Sequence, residues 1–138
     1  MADRAIIERY VGLPYEPGVF DCVDLVARVQ REVFGREVHL PQDRPRPQTL
    51  GDMAAAIGAH TAAIARRRRP EEKREGDGVL LARGCAKPTH VGVLVQLGER
   101  VPQWYVLHNA TVRLSSVLTL LRDLPLAGWR IEGFYEWT

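Results

Sequence analysis

Three side chains of this 138-residue sequence could together perform nucleophilic catalysis: Cys22, His90 and His108. A thiol becomes a useful nucleophile when its thiolate is stabilised, and a helix N-terminus with a neighbouring imidazole does this most directly. Cys22 follows Asp21, a good N-cap residue, and valines then recur at helical spacing, so we expect the sulfur in the first turn of a helix. Amide N–H groups of that turn would face the sulfur and could also hold the oxyanion of an acyl-transfer intermediate.

The two histidines lie on segments that are typical of neighbouring strands. His90 is the second residue of the run Thr89–Val95, and His108 ends the run Tyr105–His108. A turn at Gly98 would pair these runs as a hairpin and bring the two rings together. The thiol would then be the nucleophile, His90 the general base and His108 the polar group that orients His90.

The same residues have three alternative interpretations: a structural thiol, a cysteine phosphatase and a zinc site. A lone cysteine near a helix start is more often a buried structural thiol. Cys22 and Arg28 fit the Cys-x5-Arg spacing of cysteine phosphatases, but the intervening residues favour a helix and include the negative charge of Asp24 where phosphate would sit. A zinc site would use Cys22, Cys85, His90 and His108, yet none of the usual paired ligand spacings is present. Cys85 is interpreted as an incidental thiol in a turn.

Length and composition indicate one domain spanning residues 1–138. Hydrophobic residues make up 46% of the chain and charged residues 26%, as in ordinary globular proteins. The formal net charge of +2 is too small to indicate nucleic-acid binding. We find no secretory signal and no membrane span, so we expect a protein that is cytoplasmic when made, with two reduced thiols.

The order of the predicted elements indicates an α+β fold with N-terminal helices packed on an antiparallel sheet. Helices are expected at residues 2–10 and 22–34, and a short Ala-rich helix is expected to start at Thr49 or Gly51. Ser115 or Ser116 is expected to cap a further short helix that ends at Leu121. Strands are expected at residues 78–83, 90–97, 103–109 and 130–136.

Several residue groups are interpreted as structural. The run Arg66–Arg69 precedes five residues that include three glutamates, so it is interpreted as a solvated loop whose charges partly cancel, with attraction of an anionic polymer as the alternative. The three tryptophans are interpreted as sheet packing rather than a sugar platform. His39 and His60 have no recognisable partners.

The sequence resembles the NlpC-type cell-wall cysteine peptidases, small papain-like domains that cut peptide stems in bacterial peptidoglycan. The matching segments occur in the family's order and span nearly the whole chain. They are Tyr10–Tyr15 (YVGLPY), Phe20–Val26 (FDCVDLV), Leu40-Pro41, Glu75–Leu81 (EGDGVLL), His90–Val93 (HVGV) and Val106–Ala110 (VLHNA).

This resemblance implies a papain-like fold in which Cys22, His90 and His108 form the catalytic triad. It also implies that Tyr15 lies near the nucleophile and Asp21 beside it, and that no metal or cofactor is needed. The implied substrate is the amide bond of a peptidoglycan stem peptide, next to D-glutamate. The compact form is most similar to phage tail-associated members, which implies other tail proteins as partners.

The sequence departs from the family pattern directly after the nucleophile. Val23 and Asp24 stand where the family has Ser-Gly, and the glycine pair expected after the Gly-x-Pro-Tyr segment is missing around Glu16–Gly18. A carboxylate close to the sulfur would raise the thiol pKa, whereas a carboxylate that caps the helix would not. The alternative is therefore a non-catalytic tail assembly protein that retains the same fold.

Overall fold

The protein is an α+β domain built on one six-stranded antiparallel sheet. A computed structural model describes residues 3–14, 21–38, 58–59, 64–98, 100–110 and 115–138. The sheet order is β1-β6-β2-β3-β4-β5. The helices are α1 (Arg4–Glu8) and α2 (Cys22–Glu32), and the strands are β1 (Ala65–Arg68), β2 (Gly78–Arg83), β3 (His90–Leu97), β4 (Gln103–Ala110), β5 (Ser115–Leu120) and β6 (Trp129–Trp137).

Helix α2 begins at a reciprocal cap. The Asp21 side chain accepts hydrogen bonds from the backbone N–H groups of Val23 and Asp24, and the Asp24 carboxylate accepts one from the N–H of Asp21. This capping box satisfies amide groups that the first helical turn would otherwise leave unpaired, and it explains why the helix starts at Cys22. The predicted start is confirmed, and the helix ends at Glu32, two residues earlier than expected.

Two apolar clusters cover the two faces of the sheet. Side chains alternate between the faces along each strand, so residues two apart share a face. One cluster joins α2 to β3 and β4 and contains Cys22, Leu25, Val26, Val29, Val91, Val93, Val95 and Leu107. The other cluster lies on the opposite face and contains Val79, Leu81, Leu94, Val106, Leu124, Trp129 and Phe134. This layering places α2 over the strands that carry the two histidines.

The four predicted strands are confirmed as β2, β3, β4 and β6, with ends that differ by at most one residue. The predicted helix from Ser115 or Ser116 to Leu121 is wrong, because this segment is strand β5 and pairs with β4. The hydroxyl of Ser116 hydrogen-bonds the carbonyl of Tyr10 and accepts the N–H of Leu13. Serine therefore ties the segment after α1 to the sheet edge instead of capping a helix.

The arginine-rich run is also corrected. Residues 65–68 form the edge strand β1, which pairs with β6, and not a solvated loop. Its charges are nevertheless balanced, because Arg66 and Arg68 pair with Glu136 and Arg67 lies 3.9 Å from Glu132. Arginines on an edge strand also discourage pairing with another chain. The sequence could not reveal this strand, since most of its partners lie about 70 residues away.

The expected Ala-rich helix lies almost entirely outside the described residues, as do His39 and His60. Within the described part, no helix is both long enough and apolar enough to cross a membrane.

One ion pair under β1 gives a stability prediction. Arg68 Nε lies 2.8 Å from the buried carboxylate of Asp77, which also accepts the N–H of Arg74. Arg68→Met leaves that carboxylate without its cation, so we expect the free energy of unfolding to fall by about 3 kcal/mol. Arg67→Met, on the same strand but exposed, should change it by less than about 1 kcal/mol. Urea denaturation measures both, and equal losses would contradict the assignment.

Candidate active site

The candidate nucleophile Cys22 is the first residue of α2, as the sequence predicts. Its side chain is buried, with 7% of its surface exposed, and belongs to the apolar cluster beneath the helix. The N–H groups of Val23 and Asp24, which were expected to face the sulfur, are bonded to the Asp21 carboxylate. That part of the expected oxyanion site is therefore occupied by the helix cap.

The two candidate histidines are in direct contact. His90 Nε2 and His108 Nδ1 are joined by a hydrogen bond of 2.9 Å, and the ring centroids are 5.1 Å apart at a steep interplanar angle. His90 is the first residue of β3, and His108 lies two residues before the end of β4. The strand register places His108 diagonally across from His90, which is within reach for long side chains. The predicted hairpin contact is confirmed.

The histidine pair continues to a third polar group. His108 Nε2 lies 3.2 Å from the hydroxyl oxygen of Thr119 on β5. Thr119 is the diagonal neighbour of His108, because Val106 pairs with Thr119 and His108 pairs with Val117. Both nitrogens of His108 therefore have partners, one in each neighbouring strand.

One aromatic side chain, that of Trp129, packs against the histidine pair. The ring of His90 stacks on the indole of Trp129 with centroids 4.8 Å apart, and the guanidinium of Arg83 lies 3.8 Å from the same indole. His90 is 6% exposed and His108 is 2% exposed. The expectation that the tryptophans serve sheet packing holds for Trp129, which also belongs to the apolar cluster on this face.

Burial keeps both imidazoles neutral. It lowers the pKa of His90 well below its ordinary value, and the neighbouring His108 and Arg83 add to this effect. Burial also lowers the pKa of His108 to about 4, again with a contribution from Arg83. A neutral His90 with Nε2 bonded to His108 can act as a base only through Nδ1.

The thiol and the histidines approach the same end of the sheet from different faces. Val91 and Leu107, which share the cluster of Cys22, alternate with His90 and His108 along the strands. The imidazoles thus lie on the face opposite α2. The structure brings the two histidines together, and contact between the sulfur and His90 stays a prediction.

Asn109 connects the strand that carries His108 to the start of the helix that carries Cys22. Its side-chain N–H donates to the carbonyl of Asp21 at 3.1 Å, so the residue after His108 holds the residue before Cys22. Asn109 is fully buried, and its side-chain oxygen has no hydrogen-bond partner in the described part of the chain. This bond fixes the start of α2 against the end of β4.

Two further predicted site residues, Tyr15 and Asp21, and the alternative phosphatase and zinc sites can be compared with the structure. Tyr15 lies outside the described residues. Asp21 lies beside the nucleophile and acts as the helix cap. Arg28 pairs with Glu32 on the exposed side of α2. The phosphatase alternative needs a phosphate-binding loop between Cys22 and Arg28, but this segment is helical. The described residues contain no group of three or more potential ligands that could hold a metal ion, and Cys85 is exposed, so the alternative zinc site is not formed.

Sequence reasoning missed three side chains around the histidines: Arg83, Thr119 and Trp129. Trp129 was available as an aromatic residue directly before the strand predicted at residues 130–136, but nothing in the sequence pairs it with His90. Thr119 was hidden by the incorrect helix prediction, because only strand pairing places it beside His108.

No family model matches this chain, and no curated protein matches it either.

The low histidine pKa values make stability depend on pH. The unfolded chain binds protons to His108 near pH 6.5, whereas the folded protein does so only near 4. Between these values the unfolded state holds more protons, so stability is present above pH 6.5 and is lost as pH falls. We expect His108 alone to cost about 3 kcal/mol of unfolding free energy between pH 7 and pH 4, and His90 acts in the same direction. Urea denaturation across this range measures the slope.

The matched control is the double variant His90→Gln and His108→Gln, in which the same carboxylates still titrate. Its unfolding free energy should fall much less between pH 7 and pH 4. An equal decrease in both proteins would show that the histidines are not buried as neutral groups.

Close approach of β3 and β4 depends on Gly92. A methyl group at this position would lie 3.0 Å from the carbonyl oxygen of Leu107 and 3.1 Å from Cβ of His108, with a side-chain methyl of Val106 closer still. Gly92→Ala should therefore lower the free energy of unfolding by about 2 kcal/mol. Val101→Ala at an exposed position is the control and should change it by less than about 0.5 kcal/mol. Unchanged stability of Gly92→Ala in urea would mean that the strands are not this tightly packed.

Proposed function

We propose that this protein is a thiol peptidase that hydrolyses amide bonds in peptidoglycan stem peptides, next to D-glutamate, through Cys22, His90 and His108. The observation that carries the proposal is the hydrogen bond between His90 Nε2 and His108 Nδ1. It commits one nitrogen of His90 to an orienting partner and leaves Nδ1 to exchange a proton with a nucleophile. The substrate class rests on the sequence resemblance to the NlpC-type family and its papain-like fold.

The local geometry supports the assignment of roles. Cys22 begins a capped helix whose start is held to β4 by Asn109, one residue from His108. His90 begins β3 at the same end of the sheet to which Asn109 ties the start of α2. A neutral His90 is the protonation state that a general base requires at neutral pH.

The proposed reaction has two halves. The sulfur of Cys22 attacks the carbonyl carbon of the stem amide while its proton passes to His90 Nδ1. The tetrahedral intermediate collapses, the C–N bond breaks and the departing amine takes that proton from His90. Water then attacks the thioester and gives a proton to His90, the C–S bond breaks and the thiol recovers its proton. His108 holds the His90 ring and accepts the Nε2 hydrogen throughout.

A second candidate is a non-catalytic tail assembly protein with the same fold. Its support is the burial of the sulfur and both rings, together with the bonding of the Val23 and Asp24 N–H groups to the Asp21 carboxylate. Amide groups that are bonded to the helix cap are not available to stabilise a thiolate or an oxyanion. For both candidates, the proposal of other phage tail proteins as partners rests on the sequence resemblance to tail-associated members of the family.

The experiment that separates the candidates is digestion of purified sacculi, with mass spectrometry of the released fragments. Cys22→Ala should fold normally and release no stem fragments, because the nucleophile is gone. Cys85→Ala removes the exposed thiol and is the matched control, so it should keep full activity. His90→Gln should lower the rate by at least about 100-fold, the usual effect of losing a general base. Undiminished release by Cys22→Ala, or no release by the unmodified protein, would contradict the peptidase.

A further inference from the structure

Thr119 ends a chain of hydrogen bonds that begins at His90. The links are 2.9 Å between the two imidazoles and 3.2 Å between His108 Nε2 and the Thr119 hydroxyl oxygen. A neutral imidazole carries one N–H, so the direction of one link fixes the direction of the next. The three groups can therefore hold their hydrogens in only two arrangements.

In the first arrangement His90 carries its hydrogen on Nε2 and donates it to His108 Nδ1. His108 then carries its hydrogen on Nε2 and donates to the Thr119 hydroxyl oxygen, and His90 Nδ1 keeps an open lone pair. In the second arrangement the Thr119 hydroxyl donates to His108 Nε2, and His108 Nδ1 donates to His90 Nε2. His90 must then carry its hydrogen on Nδ1, where it cannot accept another.

Only the first arrangement is compatible with the proposed peptidase. A base at His90 needs the open lone pair on Nδ1, and the imidazolium formed after proton transfer still donates from Nε2. His108 Nδ1 must therefore accept in both states, which requires an acceptor for the Nε2 hydrogen on its other side. The described partner at that nitrogen is the Thr119 hydroxyl.

We infer that Thr119 is a positioning residue that accepts the Nε2 hydrogen of His108 and thereby keeps His90 in the tautomer with a free Nδ1. The role rests on the proposed function for its catalytic meaning, but the tautomer assignment belongs to the resting protein. The hydroxyl acts through His108 and touches neither the nucleophile nor the substrate. Because His108 is almost fully buried, no solvent molecule readily takes over this acceptor role.

Replacing the hydroxyl by a methyl group should reverse the chain. In Thr119→Val the first arrangement leaves the buried Nε2–H of His108 without an acceptor, whereas in the second arrangement the same nitrogen has only an unused lone pair. Buried N–H groups without partners are the rarer and more costly of the two. The ratio of the two tautomers should therefore shift by about tenfold or more toward the form with the hydrogen on His90 Nδ1.

The test is long-range ¹H–¹⁵N NMR of the imidazole rings at pH 7.5, without substrate. The unmodified protein and Thr119→Ser should hold both histidines with the hydrogen on Nε2, and Thr119→Val should shift the ratio by about tenfold or more toward the form with both hydrogens on Nδ1. Thr138→Val, the same substitution at the exposed C-terminus, is the control and should leave the spectrum unchanged. If Thr119→Val does not fold, Thr119→Ala serves the same purpose.

A hydrogen on His90 Nδ1 in the unmodified protein, or identical tautomers with and without the hydroxyl, would overturn the inference. If the protein cleaves sacculi, Thr119→Val should lower kcat about tenfold or more with little change in KM, and Thr119→Ser should restore it. The NMR result does not need activity, so loss of the proposed function and loss of this positioning role give different outcomes.

Discussion

The hydrogen bond between two buried, neutral imidazoles is the interaction around which this end of the sheet is arranged. Imidazoles removed from water lose the solvation that would stabilise a positive charge, so burial and the nearby Arg83 hold both rings neutral. Neutral rings still need partners for their nitrogens. The strands supply them from within the sheet, His90 to His108 and His108 to Thr119. The two imidazoles can be both buried and hydrogen-bonded because the register of β3, β4 and β5 brings His90, His108 and Thr119 into contact.

That register depends on close packing between β3 and β4. A methyl group at Gly92 would lie 3.0 Å from the carbonyl oxygen of Leu107 and 3.1 Å from Cβ of His108, so the two strands approach closely at that point. The same end of the sheet receives α2, whose first residue is Cys22 and whose preceding carbonyl is held by Asn109. Two consecutive residues of β4 therefore make both contacts: His108 bonds His90, and Asn109 bonds the residue before α2.

Local sequence signals were sufficient for the elements that form the centre of this protein. Asp21 and Asp24 define the start of α2 because a capping box needs only neighbouring backbone groups. Strands β2, β3, β4 and β6 follow from their β-branched and aromatic residues. The two edge strands, β1 and β5, were not predicted because their own residues are not typical of strands. Both β1 and β5 are polar at several positions, and their identity as strands comes from hydrogen bonds to distant residues rather than from their own composition.

The sequence by itself determined the α+β class, the helix that begins at Cys22, and the pairing of the strands that bear His90 and His108. These features follow from short-range propensities and from hairpin geometry, which act within a few residues or across one turn. Only the tertiary structure decided that Trp129 and Arg83 flank the histidines, that Thr119 completes their hydrogen bonds, and that the rings lie on the sheet face away from α2. Those contacts join residues far apart in the chain, and their energy comes from burial and register, which no local pattern encodes.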